Sequence, residues 1–544
     1  MNAFTDIASS LPLWQAVLQS GPALAVAAAA LFAGPAVSSA KAWHAARLAT
    51  SGALGLAVLS MALVLAGLGG SNALLRADPV GGVIMLLVAF VGWVIVRYSQ
   101  PYLNGEAQER HYVRWLLATL TTVSVIVVSN NVLLMALAWM ATSLALHRLL
   151  TFFNDRPAAV VAAHKKFIVG RGADLSMLLA TGLLFHAFGT LRIDEIGIQA
   201  AVLDGLPLSA QVATVLIAFA ALLKCAQLPF HGWLIQVMEA PTPVSALLHA
   251  GVVNLGGFVL IRFAPLIAET LTAQVLLVVV GTATAVVAAL VMTTRISVKV
   301  MLAWSTCAQM GFMLMQCGLG AWEMALLHLV AHSLYKAHAF LSAGGAVRRA
   351  MLVQLTPTAA APGAPALIFG AAVGVAMTLL AGVLVNWLAP AQPASPAIWV
   401  LAGIVAFALV PLVHAQSLRL GGLWMPALAL GAFSVALSYF GLHLLFSSLI
   451  QIEGEPPVVL SIIVAAAFAA LFLLQSLITL SPNSALVRRL YPWFYGGLFL
   501  DEKFNRIAFN LWQPPTPVTQ LTPLPQINTA PATSPDTSKT GAHA

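Results

Sequence analysis

Ala220-Ala221-Leu222-Leu223-Lys224-Cys225-Ala226-Gln227-Leu228-Pro229-Phe230-His231-Gly232-Trp233 sets a lysine inside an apolar helix with a proline just beyond it, and Glu239-Ala240-Pro241-Thr242-Pro243-Val244-Ser245-Ala246-Leu247-Leu248-His249 adds an acid and a histidine. An ammonium group in mid-bilayer costs roughly 2.5–3.5 kcal/mol on insertion scales, so it faces a bundle interior or a hydrated cavity and has a partner. Pro229 frees backbone groups that only protein or water can satisfy. A broken helix carrying a titratable lysine is the pattern of an ion or proton path. Glu239, beside the break, is the expected carboxylate partner that holds Lys224 charged.

The rest of the chain gives that lysine its bilayer. Of 544 residues, 60% are hydrophobic and 8% charged, and the mean hydropathy is +0.94. Such a chain has no polar shell to offer water, and its apolar runs of about 20 residues are too long for barrel strands. The fold class is therefore all-α integral membrane, a polytopic bundle. About fifteen spans are predicted, near 12–34, 49–70, 79–98, 112–129, 131–151, 167–188, 209–230, 243–265, 272–293, 299–318, 322–345, 365–388, 397–417, 424–449 and 457–480. Broken, Pro-interrupted helices in both halves are compatible with inverted repeats. No basic residue precedes Lys41, so the first run is expected to stay as a membrane helix and not to be cleaved as a signal peptide.

Alternate loops carry Lys41 and Arg47, Arg110, then Arg148, Arg156, Lys165 and Lys166, then Arg295, Arg348 and Arg349, Arg419, and Arg488 and Arg489, whereas the opposite set holds only Arg76 and Arg192. The positive-inside rule then puts the N-terminus outside and the C-terminus inside. The formal net charge of +8 is thus an orientation signal, and no nucleic-acid partner is implied. Residues 1–480 form the transmembrane domain. The aromatic and basic segment 481–512 reads as an amphipathic interfacial element touching lipid or a partner, and the Pro/Thr/Ser-rich 513–544 as a disordered cytoplasmic tail. Cys225, Cys307 and Cys317 read as small buried hydrophobes.

His328, His332 and Lys336 step at i, i+4, i+8 and share one helix face over about 12 Å. Imidazole and a desolvated lysine exchange protons near neutrality, so the row reads as a relay. Structural hydrogen bonding between helices is the plainer alternative, and a zinc site, which lacks an HExxH glutamate and a third ligand, is the weakest one. Asp174, a turn inside the sixth span, and Lys299, opening the tenth, extend the path, with Lys299 also able to snorkel. His249 could either satisfy the broken backbone or pass protons. No Walker A loop, dinucleotide fingerprint, haem or iron–sulfur cysteine set is present, so no cofactor is expected and the driving force comes from an ion gradient or a partner subunit.

In these motifs, together with Leu302-Ala303-Trp304-Ser305-Thr306-Cys307-Ala308-Gln309-Met310-Gly311-Phe312, the chain resembles the antiporter-like proton-translocating family. That family comprises the L, M and N subunits of respiratory complex I, the large Mrp antiporter subunits and the membrane subunits of bacterial inorganic-carbon accumulation systems. The resemblance runs over about residues 80–350. It implies that Lys224 is the central pumping lysine, His249 the broken-helix histidine, His328, His332 and Lys336 the linking relay, and Asp174 the acid of the sixth helix. Two departures stand out: Met140 follows Trp139 where the family usually has a glutamate to pair with the central lysine, and the span 365–388 carries no charged residue.

The stretch 137–150 looks like the inorganic-carbon branch. That branch implies a transporter subunit, not an enzyme, in the bacterial inner membrane. It also implies a large cytoplasmic, zinc-containing, β-carbonic-anhydrase-like partner, with H+ flow driving CO2 or bicarbonate uptake. A subunit of a redox-driven complex I-type enzyme, an Mrp-type antiporter and a non-conducting membrane anchor are the rival readings.

Overall fold

A computed structural model describes residues 12–345, 363–390, 395–420, 425–450 and 456–512. The expected disordered tail lies outside these residues. In chain order the helices are α1 (Leu13–Phe32), α2 (Ser39–Leu65), α3 (Pro79–Tyr102), α4 (Glu109–Val128), α5 (Val132–Leu150), α6 (Pro157–Phe188), α7 (Ile193–Val202), α8 (Leu208–Lys224), α9 (Gly232–Gln236), α10 (Thr242–Ala250), α11 (Leu255–Arg262), α12 (Ala264–Ala268), α13 (Leu271–Met292), α14 (Val298–Gly318), α15 (Trp322–Leu341), α16 (Ala364–Leu388), α17 (Pro396–Leu420), α18 (Met425–Ser447), α19 (Val458–Leu480), α20 (Ala485–Tyr495) and α21 (Leu500–Leu511). Among the described residues, twelve helices are long and apolar enough to cross a membrane, and the all-α membrane class holds. Every predicted span carries a helix, and most boundaries agree within a few residues.

Two starts differ by ten residues, and the second matters. α6 begins at Pro157, not near 167, because proline at the first helical position presents its fixed φ and needs no N–H partner. Lys165 and Lys166, expected in a loop, consequently lie inside the helix and are buried. The polar start of the helix hid it from a hydropathy reading.

One end of the bundle is closed by a hairpin, β1 (Gly70–Ser71) with β2 (Arg76–Ala77), and by bridges from Leu75 to Ser129 and from Asn131 to Arg192. Asp78 caps α3 by accepting from the Gly81 N–H at 2.8 Å and pairs with Arg76 at 2.9 Å and with Arg262 of α11. Asp194, at the same end, accepts from Ser71 and Arg192. Burial pushes its carboxyl up, and these hydrogen bonds outweigh burial and hold it below the usual range. In the middle, α13 and α14 approach through glycines: a Cβ on Gly281 would stand 2.6 Å from the Gly311 carbonyl oxygen, the small-residue contact that lets membrane helices pack without a hydrophobic drive.

The other end, which the loop charges predict to be cytoplasmic, is covered by α20 and α21. The expected amphipathic segment 481–512 forms these two helices, and its apolar surface is divided. Phe504 meets Phe230 at a centroid distance of 5.9 Å and Trp512 stacks on His164 at 3.7 Å. Tyr491, Trp493 and Tyr495 stay exposed. Arg295, in the loop before α14, reaches the Phe494 carbonyl at 3.5 Å.

Candidate functional site

α8 stops at Lys224, and Ala226 then takes a left-handed φ of 52° before Pro229 and the short α9. That turn leaves the Lys224 side chain pointing sideways into the bundle, where it is 10% exposed. Its ammonium lies 2.8 Å from the Asp174 carboxylate on α6, 3.5 Å from the Trp139 carbonyl and 5.2 Å from the centre of the Trp139 ring. Glu239 is not its partner. That carboxylate is 44% exposed and pairs with Arg156 at 3.3 Å, because the chain after the break runs out to the bundle end instead of folding back. The acid absent at Met140 on α5 is thus supplied from α6, and Asp174 is further held by Arg171 at 2.6 Å.

A second ammonium completes the site. Lys166 and Asp174 lie on one stripe of α6 with Gly170 between them, at successive i+4 steps. Lys166 donates to the Ser143 carbonyl at 2.6 Å and to its hydroxyl at 2.9 Å. Sequence reasoning missed Lys166 as a site residue; Pro157 as a helix-start signal could have found it. Lys166, Lys224, Ser143, Thr142, Trp139 and Trp233 border a cavity of about 20 Å³, enough for one water, which needs about 10–15 Å³ and polar partners.

The second break lies between α10 and α11, at residues 251–254. Asn254 donates to the Ala250 carbonyl at 3.0 Å and to the Ser333 hydroxyl of α15 at 2.7 Å, repairing backbone groups that the break sets free. A cavity of about 30 Å³ adjoins Asn254 and Ser333, and Val252 borders both this cavity and the one at Lys224. On α10, His249 stacks on Phe340 at 4.4 Å, and neither of its ring nitrogens has a hydrogen-bond partner among the described residues. A fully buried imidazole with no protein partner is served by water or by proton exchange.

The row on α15 is one face, as the spacing requires. His328 and His332 stack at 5.8 Å, and Lys336, fully buried, donates to the Leu302 carbonyl of α14 at 3.1 Å and to the Ser305 hydroxyl. The Nε2 atoms of both histidines lack protein partners among the described residues. Lys299 sits in the first turn of α14, a turn before Leu302 and partly exposed, apart from the buried row. Among the described residues no group of three His, Cys, Asp or Glu could hold a metal ion. Lys224 with Asp174 and Lys166, the second break, and the α15 row make a chain of buried exchangeable groups interrupted by small cavities.

Residues 129–383 match the family described as NADH:quinone oxidoreductase/Mrp antiporter, TM. The chain is 43% identical over 440 residues, 80% of its length and 83% of the relative's, to "Probable inorganic carbon transporter subunit DabB" of Hydrogenovibrio crunogenus. It is 37% identical over 461 residues, 82% of each chain, to "Probable inorganic carbon transporter subunit DabB2" of Halothiobacillus neapolitanus. In fold it is similar to the Mrp complex from Dietzia sp., with a TM-score of 0.58 and 22% identity over 92% of this chain and 59% of that one. It is likewise similar to respiratory complex I from Thermus thermophilus, with a TM-score of 0.52 and 21% identity over 87% of this chain and 98% of that one.

Proposed function

We propose, from the premise that this chain belongs to the family of the inorganic carbon transporter subunits DabB, that it conducts protons and so powers inorganic-carbon uptake. The observation that carries the reading is the buried Lys224–Asp174 pair at 2.8 Å beside Lys166. A carboxylate held between the Lys224 ammonium and the Arg171 guanidinium can release the ammonium when water or a proton arrives, and so works as a switch. A proton taken up beside Lys166 passes by the cavity water to the Lys224–Asp174 pair. From there it crosses the second break at Asn254 and Ser333 and reaches the row of His332, His328 and Lys336, with His249 alongside. The cavity at Lys224 has room and polar groups for one bridging water, and crossing the mostly apolar cavity at the second break requires water drawn in beside Asn254 and Ser333.

The relatives are named as subunits, and in this reading the chain works with a soluble partner on the side of α20 and α21. The partner is a zinc-containing, carbonic-anhydrase-like protein that hydrates CO2 and retains bicarbonate, with proton flow as the driving force. The test is to purify the complex from its native membrane, identify the companion protein, and reconstitute it in vesicles holding a pH-sensitive dye. Proton flux lost in Lys224→Ala and a companion that binds zinc support the proposal. Wild-type flux in that variant overturns the conduction, and iron–sulfur companions would place the chain in a redox enzyme instead.

A further inference from the structure

We infer that Glu323 on α15 and His443 on α18 are the proton-exchange pair at the hairpin end of the path, an inference that rests on the proton-conducting reading above. Helix α16 carries no charged residue with which to continue the path. Among the described side chains of α16 to α19, His443 is the one imidazole or charged group. Its Nδ1 stands 3.2 Å from the Glu323 Oε1, and the two side chains are only 11% and 13% exposed.

The surroundings are apolar. Met324, Leu319, Ala436 and Phe440 belong to the buried cluster around the pair, and Tyr439, one turn before His443, donates its hydroxyl to the Ile398 carbonyl at 3.2 Å and closes the site toward α17. A carboxylate in the first turn of a helix gains from the free N–H groups there, which explains why Glu323 is tolerated but not why a histidine faces it. The pair sets a carboxyl and an imidazole face to face across two helices, and intramembrane ionisable pairs of this kind mark ion paths.

His328 lies five residues further along α15, about 7.5 Å of rise, and faces Phe312 of α14. The transfer requires a short water chain around the helix to join it to Glu323. In the transfer a proton leaves the His328 ring for water, water protonates the Glu323 carboxylate, and Glu323 passes the proton to the His443 Nδ1. The imidazolium so formed turns about its Cβ–Cγ bond, gives the Nδ1 proton to solvent, and swings back as the neutral ring still protonated on Nε2.

The test uses the purified full complex in vesicles with a pH-sensitive dye. Glu323→Gln and His443→Ala should each lower proton flux at least about tenfold, as expected when a positioned acid or base is removed. Imidazole added to the compartment at the hairpin end should restore flux in His443→Ala and leave Lys224→Ala inactive; a purely structural pair would show no such rescue. His443→Gln serves if His443→Ala fails to insert. Normal flux in both Glu323→Gln and the histidine variant, or loss without imidazole rescue, overturns the pair while a dead Lys224→Ala leaves the conduction reading intact. Wild-type flux in Lys224→Ala shows that the conduction reading itself has failed.

Discussion

Asp501 of α21 holds the Lys165 ammonium of α6 with both carboxylate oxygens at 2.9 Å, across 336 residues of sequence. The same carboxylate accepts from Gln236 of α9 at 2.9 Å and from Asn505 at 3.1 Å. One helix end therefore grips both the element that carries Lys166 and Asp174 and the element that follows the break after Lys224. Gly232 makes the approach feasible, since a Cβ there would overlap the Asp501 carboxylate.

That grip is testable by substitution at either side. Asp501→Asn leaves a fully buried ammonium without its counter-charge and should weaken docking of α21 by about 2 kcal/mol, below the roughly 3–5 kcal/mol of a fully buried pair because Asp501 is a quarter exposed. Gly232→Ala should displace the helix outright. Limited proteolysis of purified protein should cut near residue 500 faster in both variants, and deleting 513–544 should change nothing. Unchanged protection in both substitutions would show that the aromatic contacts of Phe504 and Trp512 hold the helix alone.

Lys224→Ala and Lys224→Arg should both abolish flux and carbon uptake while the protein stays inserted. Alanine removes the charge, and a guanidinium hardly deprotonates at any physiological pH. Asp174→Asn should be nearly as damaging, because it leaves Lys224 in the bundle with no carboxylate. Vesicle flux measurements that find Asp174→Asn fully active would move the partner role elsewhere.

Lys166→Met keeps the length of the side chain and removes its proton. Flux should drop at least about tenfold, toward the roughly 10²–10⁴-fold of losing one positioned acid–base group, with little change in thermal stability, since Ser143 keeps its backbone bonds. A large loss of stability with normal flux per inserted molecule would instead mark Lys166 as a strut between α5 and α6.

In the α15 row, His332→Ala opens about 12 Å between His328 and Lys336, too far for one hydrogen bond and within reach of a water chain. Flux should fall strongly but remain measurable. If single alanine variants at 328, 332 and 336 all conduct normally, the row merely ties α15 to its neighbours.

What the sequence by itself determined is the local physics. Apolar runs matched to a bilayer's thickness predicted where helices lie, Pro229 and its neighbours marked the break after Lys224, and the i+4 spacing put His328, His332 and Lys336 on one face. Those features depend on residues adjacent in the chain. Only the tertiary structure decided who meets whom: Asp174 and not Glu239 at Lys224, Lys166 within a helix instead of a loop, Asp501 at Lys165, and Glu323 at His443. Each pair joins different helices, and the packing angle of those helices and the residue at which each one starts set the distance. A charge in a bilayer must find a counter-charge, but the chain order does not say which one, because the choice is made by the shape of the bundle.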